Sequence, residues 1–246
     1  MSAFLLPLLF LVVALVYSAV GLGGGSTYVA ILALTGMDHQ QLPTISLSLN
    51  LVVTSVGIYN FRRHDHIRFG LVWPFLITSL PMAYLGGSLQ LSRLTFLWLL
   101  FITLLFVALR IYLWREVTFN LHLNHLGRRA TMLASGAALG FVAGTVGIGG
   151  GILLVPLMIM LSLAREQEAA GAGAVFVWVN SAMGLIARFN RQAFDPDLIV
   201  PLVVAVIVGA GIGSYLGAAR LKPRSVQLIM GVVILMALVS IGGQLL

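Results

Sequence analysis

The chain has 246 residues, of which 60% are hydrophobic and 9% are charged, and its mean hydropathy is +1.06. A soluble domain carries about a quarter of its residues as charges, so this composition excludes a soluble fold and indicates an all-α integral membrane protein. The net charge of +7 is therefore attributed to basic loops that orient the chain in the membrane, and not to a surface that binds nucleic acid. Cysteine is absent, which excludes disulfides and thiolate metal sites.

Ten apolar segments, separated by charged, proline or glycine residues, fall into two sets of five. The first set is 4–20, 26–36, 44–60, 69–89 and 94–113, and the second is 131–146, 152–163, 170–187, 198–219 and 225–246. The second member of each set is too short to cross about 30 Å of hydrocarbon at 1.5 Å per residue. Each short segment is therefore predicted to be the second arm of a re-entrant or broken helical hairpin with glycines at its tip. Three full spans then remain in each set.

The two sets are predicted to be an internal repeat, because landmarks recur at nearly constant spacing. The cluster Gly21, Gly23, Gly24 and Gly25 recurs 126 positions later as Gly147, Gly149, Gly150 and Gly151. Asn180 follows Asn50 by 130 positions, and Pro74, Gly86, Arg93 and Leu94 recur 127 positions later as Pro201, Gly213, Arg220 and Leu221. The predicted organisation is a first membrane repeat at 1–113, a cytoplasmic linker at 114–130 and a second membrane repeat at 131–246.

Loop charge predicts the orientation in the membrane. Eleven of the basic residues fall in loops 60–68, 110–129, 164–169 and 220–224, whereas the remaining loops hold only Arg93, Arg188 and Arg191. This bias places the first group of loops in the cytoplasm and both termini outside it. Because three full spans per repeat is an odd number, the second repeat is predicted to be inverted relative to the first. The expected location is the bacterial cytoplasmic (inner) membrane, as a multi-pass protein.

The two glycine clusters predict an anion site at membrane depth. A short helix begins after each cluster, at Ser26 and at Ile152, and the first N–H groups of a helix lack intrahelical partners and carry about half a positive charge. Two such termini facing each other across an inverted repeat are typical of transporters with discontinuous helices. Close helix packing through small residues is the alternative. A dinucleotide fingerprint is disfavoured, because GLGGGS lacks the third glycine and follows a membrane span.

The candidate substrate-binding residues are the tip glycines and the polar side chains near them. Asn50 and Asn180 lie inside apolar runs, where each amide either donates to an anion or bonds to a neighbouring helix, and both readings stay open. Ser46 lies one turn before Asn50 and is predicted to share its helix face. The predicted binding set is Gly23, Gly24, Gly25, Ser26, Thr27, Ser46, Asn50, Gly149, Gly150, Gly151, Asn180 and Ser181.

These motifs resemble the TauE/SafE sulfite-exporter family. The resemblance is carried by GLGGGS and GIGGG, by the Asn50 and Asn180 segments, and by LGGSLQLSRL with IGSYLGAARL, and it covers nearly the whole chain. It implies membrane export or uptake of sulfite, sulfonates or related small anions, without settling which. The chain departs from symmetry where Ser26 and Thr27 of the first repeat become Ile152 and Leu153 in the second, so hydroxyl contacts there cannot be equivalent.

The spans contain no evident carboxylate or histidine that could carry a proton. All seven acids and all five histidines fall in loops or at span ends, and no embedded arginine or lysine is expected. Backbone dipoles with amide and hydroxyl donors are therefore the predicted source of positive potential. Together with the resemblance to the sulfite exporters, which implies the substrate class, this predicts a secondary transporter that exports a small sulfur-containing anion such as sulfite or an organosulfonate. An anion channel of the same architecture is the alternative.

Other kinds of site are not predicted. His64, Asp65 and His66 invite a metal reading, but the neighbouring Arg62 and Arg63 repel a cation and favour a solvated loop. No enzyme is expected, since nucleophile, base or metal ligands do not converge at one depth, and no cofactor or metal is expected. The expected partners are a small anionic substrate and membrane lipid, without nucleic acid, and a homo-oligomer stays open.

Overall fold

A computed structural model describes residues 5–112, 125–189 and 196–219, together with 234–235, 238–239 and 241–245. Within these ranges the secondary structure is helical and no strand occurs. The described helices of ten or more residues are α1 (Leu5–Ser18), α2 (Gly25–Leu34), α3 (Leu42–Arg63), α4 (Phe69–Ser88), α5 (Arg93–Tyr112), α6 (His125–Val146), α7 (Gly151–Met160), α8 (Glu166–Ile186) and α9 (Pro196–Ala219). Most of the predicted tenth segment, 225–246, and most of the predicted linker, 114–130, lie outside the described residues.

Five helices in the described part of the chain are long and apolar enough to cross a membrane, which indicates a multi-pass membrane protein. They are Leu42–Arg63, Phe69–Ser88, Leu126–Val146, Glu166–Ile186 and Asp197–Ala218. Four of these, in α3, α4, α8 and α9, match predicted full spans. The fifth lies in α6, which begins at His125 inside the predicted linker and is therefore longer than the predicted segment 131–146. The third predicted full span of the first repeat lies in α5, where Arg93–Leu109 is an apolar helix shorter than the five candidate spans.

Short helices follow both glycine clusters, as the sequence predicts. α2 and α7 each contain 10 residues and begin at Gly25 and Gly151. α1 and α2 lie side by side in opposite directions, because the Phe10 and Tyr28 rings stack at 4.8 Å and the Tyr17 hydroxyl contacts the first turn of α2. The chain therefore turns back on itself at residues 19–24.

Two pairs of helices pack closely through small residues, α1 with α9 and α4 with α6. Three glycines of α9 face α1 and the residue that follows it: Gly209, Gly213 and Gly217. Cβ atoms added to them would overlap the backbone carbonyls of Leu11, Leu15 and Ala19, respectively. On α6, Gly136, Gly140 and Gly144 face Phe75, Ser79 and Ala83 of α4 in the same way. In each pair the residue numbers rise together, so the paired helices run in the same direction. Glycine at these positions lets the backbones approach.

α3 and α8 cross at the centre of the molecule in opposite directions. Leu47 lies beside Gly184, the Trp178 indole donates to the Ser55 hydroxyl at 2.9 Å, and Gly57 lies beside Ala174. These two helices are the most enclosed of the candidate spans, since 61% and 67% of their apolar windows are buried against 33% to 39% for the other three. Both glycine clusters approach this central pair.

Candidate functional site

Both glycine clusters adopt the same backbone conformation. Gly21, Gly23 and Gly24 have φ values of 71°, 72° and 112°, and Gly147, Gly149 and Gly150 have values of 84°, 75° and 77°. Any other L-residue in this left-handed region is destabilised by about 1–2 kcal/mol. The last glycine of each trio is the N-cap of the short helix that follows, and neither N-cap residue makes a side-chain capping bond. The first N–H groups of α2 and α7 therefore lack side-chain caps.

The two clusters meet at the α3–α8 crossing. The Ser46 hydroxyl lies 3.2 Å from the carbonyl oxygen of Gly25 and 2.8 Å from that of Gly147, so one side chain contacts both clusters. Val177 of α8 also touches both, because a Cβ built on Gly23 or on Gly149 would lie 2.9 Å or 2.7 Å from its Cγ1. Ser46 and Val177 therefore each contact both glycine clusters.

Asn50 lies between the clusters with its amide unpaired. A Cβ built on Gly23 would lie 2.8 Å from Asn50 Oδ1, and one built on Gly149 would lie 2.9 Å from Nδ2. The side chain is completely buried, and neither amide atom has a hydrogen-bond partner within the described protein. An unsatisfied buried polar group destabilises a protein by about 1–3 kcal/mol. Buried polar groups in native proteins almost always have a hydrogen-bond partner, so the Asn50 amide is a candidate contact for a bound ligand.

The structure divides the other predicted polar residues into two groups. Ser181 belongs with Asn50, since its hydroxyl is buried without a partner and lies 3.4 Å from the Cβ position of Gly149. Asn180 differs from its predicted equivalent, because its Nδ2 donates to the Phe176 carbonyl of its own helix at 2.8 Å, although its Oδ1 has no partner.

Ser26 and Thr27 face Tyr17 rather than the opposite cluster. The Tyr17 hydroxyl lies 3.1 Å from Ser26 Oγ and 2.6 Å from Thr27 Oγ1, and all three side chains are buried. Their hydroxyls therefore tie α2 to α1. The backbone N–H of Thr27 donates to the Gly24 carbonyl at 3.1 Å.

Arg188, which the sequence places in a loop, is buried within the protein. The residue follows the end of α8 but is only 8% exposed, because its guanidinium donates to the carbonyl oxygens of Gly184 and Thr145, both at 3.1 Å. Gly87 of α4 and Gly184 of α8 leave room for it, since Cβ atoms built there would lie 2.9 Å and 3.6 Å from Arg188 Nη1. One signal was available in the sequence, since Arg188 continues the helical spacing of Ser181 and Gly184 on one face.

Val177 and Tyr17 are the other site residues that the sequence reasoning missed. Both are ordinary apolar or aromatic members of apolar runs, so spacing alone does not distinguish them. The predicted solvated loop agrees with the structure, in which His64 and Asp65 are exposed. Among the described residues, no three histidine or carboxylate side chains come together as metal ligands would.

Fold and site together define a helical multi-pass membrane protein in which two interrupted helical segments converge on a buried, unpaired amide. The chain belongs to the sulfite exporter TauE/SafE family, because the sequence model of that family matches residues 6–241. The family resemblance that the glycine and asparagine motifs carry is thereby confirmed. The protein is a member of a family of membrane transporters.

Relatives of similar length support this assignment. The chain is 29% identical to the "Probable membrane transporter protein y4hK" of Sinorhizobium fredii, over 94% of this chain and 95% of that protein. It is 25% identical to the "Probable membrane transporter protein YunE" of Bacillus subtilis, over 100% and 97%, and 28% identical to a "Probable membrane transporter protein" of Xylella fastidiosa, over 82% and 80%. No solved structure matches the chain.

Proposed function

We propose that the protein is a secondary transporter that exports a small sulfur-containing anion, such as sulfite or an organosulfonate, across the bacterial cytoplasmic membrane. The observation that carries the proposal is the unpaired Asn50 amide, held between the uncapped N-termini of α2 and α7. The family name supports sulfite as the first anion to test. The bacterial relatives support the cytoplasmic membrane as the location.

The electrostatics of the site favour an anion over a cation. The helix N-termini present N–H groups and a positive partial charge. Asn50 Nδ2 and the Ser181 hydroxyl add neutral donors that lack other partners. Among the residues that the structure describes, the carboxylates lie in loops or in the first turn of a helix, so none of these opposes an anion at the crossing. An anion would satisfy donors that are unsatisfied in its absence.

The packing supports two inverted repeats. In two such repeats, helices α1 to α4 are equivalent to helices α6 to α9. The counterpart of the close pair formed by α1 and α9 is then the pair formed by α6 and α4, and both pairs are observed. The equivalent central helices α3 and α8 run antiparallel, which an inverted repeat requires. The shared left-handed conformation of the two glycine trios agrees with the same operation. In this arrangement each glycine-tipped hairpin enters and leaves the membrane on one side.

The burial of the site supports a carrier that works by alternating access. Asn50 and Ser181 are 0% exposed, so an anion reaches them only when the hairpins separate from α3 and α8. We assign the end of the molecule with Arg62, Arg63, Arg68 and Arg165 to the cytoplasm, following loop charge. Substrate then enters from that end and leaves at the other after the repeats rock. A channel of the same architecture would need a continuous path past the crossing.

Counterflow in proteoliposomes tests the proposal. Vesicles loaded with unlabelled sulfite should accumulate labelled sulfite transiently and with saturation, whereas a channel would only equilibrate it. Sulfate, thiosulfate, sulfonates and small carboxylates, added as competitors, define the substrate. Flux that is linear in sulfite concentration and lacks counterflow would overturn the carrier in favour of the channel. Flux no greater than that of protein-free vesicles would refute sulfite transport.

A further inference from the structure

The buried Asn50 amide offers a hydrogen-bond acceptor as well as a donor. A Cβ built on Gly23 would lie 2.8 Å from Oδ1, whereas one built on Gly149 would lie 2.9 Å from Nδ2. Neither end of the amide has a hydrogen-bond partner among the described residues, and the side chain is 0% exposed. Exchanging the two ends would still leave one acceptor and two donor hydrogens unpaired. A ligand that satisfies this side chain therefore both donates and accepts.

The hydroxyls one turn before and one turn after Asn50 do not donate to Oδ1. A hydroxyl carries one hydrogen, and Thr54 Oγ1 donates its hydrogen to the backbone carbonyl of Asn50 at 2.6 Å. Ser46 Oγ donates to the Gly147 carbonyl at 2.8 Å and lies 3.2 Å from the Gly25 carbonyl. Asn50 Oδ1 is therefore left for a donor that comes with the ligand.

A second acceptor without a partner lies on α8. Asn180 Nδ2 donates to the Phe176 carbonyl, which fixes the orientation of this amide because a carbonyl only accepts. Asn180 Oδ1 is buried and unpaired within the described protein. The central pair of helices thus combines unpaired acceptors, Asn50 Oδ1 and Asn180 Oδ1, with unpaired donors, Asn50 Nδ2 and the Ser181 hydroxyl. Donors alone do not describe the polar groups that lack partners here.

These acceptors distinguish between the ionic forms of an oxyanion. A fully deprotonated dianion only accepts hydrogen bonds, so it would leave Asn50 Oδ1 unpaired and place a negative oxygen beside the negative end of that carbonyl. A monoprotonated oxyanion donates its O–H to Oδ1 and accepts hydrogen bonds from Nδ2 and from Ser181. The sulfonate group of an organosulfonate carries one negative charge but no O–H, so it also leaves Oδ1 unpaired.

We propose that the central site binds its anion in the monoprotonated form, with the O–H of the ligand donating to Asn50 Oδ1. For sulfite this species is hydrogensulfite with its hydrogen on oxygen, in preference to the dianion and to organosulfonates. The proposal rests on the proposed function for sulfite as the anion. Each anion that crosses then carries one negative charge and its own proton, so no side chain has to take up or release a proton.

The titratable side chains around the crossing do not change their charge near neutral pH. The two glycine turns and α7 contain no titratable side chain. Tyr17 of α1 and Tyr28 of α2 are buried, and a tyrosine hydroxyl is neutral near pH 7. Arg188, beyond the end of α8, stays protonated as arginine does in proteins. The titratable residues of α3, α6, α8 and α9 lie toward the helix ends, at Tyr59, Arg62, Arg63, His125, Arg128, Arg129, Glu166, Glu168, Asp197 and Tyr215.

Equilibrium binding of radiolabelled sulfite to the full chain in lipid nanodiscs, measured on both sides of the ionisation of hydrogensulfite, tests the proposal. The apparent affinity for total sulfite should be constant while hydrogensulfite dominates and should then fall about tenfold for each further pH unit, because one proton binds with the ligand. Methanesulfonate is the matched probe, since it has the charge of hydrogensulfite and a methyl group in place of the hydroxyl. It should bind about tenfold or more weakly than hydrogensulfite, with no dependence on pH.

Two variants locate the acceptor. Asn50→Leu removes Oδ1 and Nδ2 together, so it should weaken the binding of both ligands and abolish the preference for hydrogensulfite over methanesulfonate. Asn60→Leu is the control on the same helix, because Asn60 donates to Ser214 of α9 and has no contact with the glycine clusters. It should keep the affinities and the pH profile of the wild type.

The outcomes separate this proposal from the proposed function. A sulfite affinity that stays constant or rises through the ionisation would show that the dianion binds, which overturns the proposal and keeps the central site. Methanesulfonate that binds as tightly as hydrogensulfite would contradict it as well. The same pH dependence for both ligands would assign the proton to the protein, and an affinity that follows sodium instead of pH would assign Oδ1 to a cation; either result overturns the proposal. Absence of sulfite binding at every pH would overturn both proposals.

Discussion

The Asn50→Leu variant is expected to raise the stability of the empty protein and to lower anion transport. Leucine has a similar volume and removes two buried atoms, Nδ2 and Oδ1, that have no partner. The unsatisfied groups destabilise the native state by about 1–3 kcal/mol each in water-soluble proteins. In membranes the unfolded reference state also finds partners, and measured interhelical hydrogen bonds average about 0.6 kcal/mol. A gain of about 1 kcal/mol in the free energy of unfolding is therefore expected.

The same substitution should weaken anion binding at the crossing. A hydrogen bond to a charged group contributes about 1.5–3 kcal/mol, and each 1.36 kcal/mol corresponds to a factor of ten. Losing the Asn50 Nδ2 donor should therefore lower the apparent affinity for sulfite in counterflow by roughly ten- to a hundredfold. The opposite signs of the two effects distinguish a binding residue from a packing residue.

Asn60→Leu provides the matched control on the same helix. Asn60 donates to Ser214 Oγ at 2.7 Å, and Ser214 in turn donates to the Ala210 carbonyl at 2.6 Å. The substitution therefore removes the hydrogen bond that joins α3 to α9, while the Ser214 hydroxyl keeps its own acceptor. This variant should be destabilised by about 0.6 kcal/mol and should transport normally. Equilibrium unfolding in mixed micelles and sulfite counterflow measure both quantities. An Asn50→Leu protein that is less stable than wild type and transports equally well would refute the assignment of Asn50 to the site.

Three further substitutions test separate parts of the structure. Gly150→Val should abolish transport while membrane insertion survives. Gly36 has a φ of 76° but open space around it, so Gly36→Val is the control and should keep transport. An equal loss of transport in both variants would show that backbone strain alone is responsible. Tyr17→Phe removes the hydroxyl that ties α1 to α2 and should lower the free energy of unfolding by about 0.5–1.5 kcal/mol, and an unchanged unfolding curve would contradict that role. Arg68→Gln breaks a 2.7 Å ion pair with Glu168 in which the arginine is 66% exposed, so stability should change by less than about 1 kcal/mol, and a larger loss would reveal a greater structural contribution.

The glycine tips were predictable because a rare backbone conformation leaves a direct trace in the sequence. Positive φ strongly favours glycine, so Gly23, Gly24, Gly149 and Gly150 mark the turns without reference to any tertiary contact. The short helices after them follow from length alone. The boundary of α6 was less accessible, because a helix can extend through polar residues such as Arg128 and Arg129 where no proline or glycine pair ends it.

The side-chain arrangement was not predictable in the same way. Asn50 and Asn180 have equivalent sequence contexts, yet one amide lies between the tips and the other donates to its own helix. That difference depends on which rotamer the neighbouring helices allow. Arg188 is buried where glycines on α4 and α8, at positions 87 and 184, leave room for its guanidinium, and neither helix alone reveals this. Local sequence specifies the backbone here, while convergence of several helices specifies the polar contacts.

The voltage dependence of transport follows from the kind of charge at the crossing. The donors found there are amides, a hydroxyl and helix N-termini, all of which are neutral groups that do not move a proton with the substrate. Transfer of one net negative charge is then worth about 2.3 kcal/mol per 100 mV, and a cytoplasm-negative potential should drive export. In proteoliposomes, a potassium diffusion potential of either sign should speed or slow sulfite efflux accordingly at constant pH on both sides. Efflux that ignores the potential and follows an imposed pH gradient would refute the electrogenic mechanism, because a proton would then have to compensate the charge of the anion at each cycle.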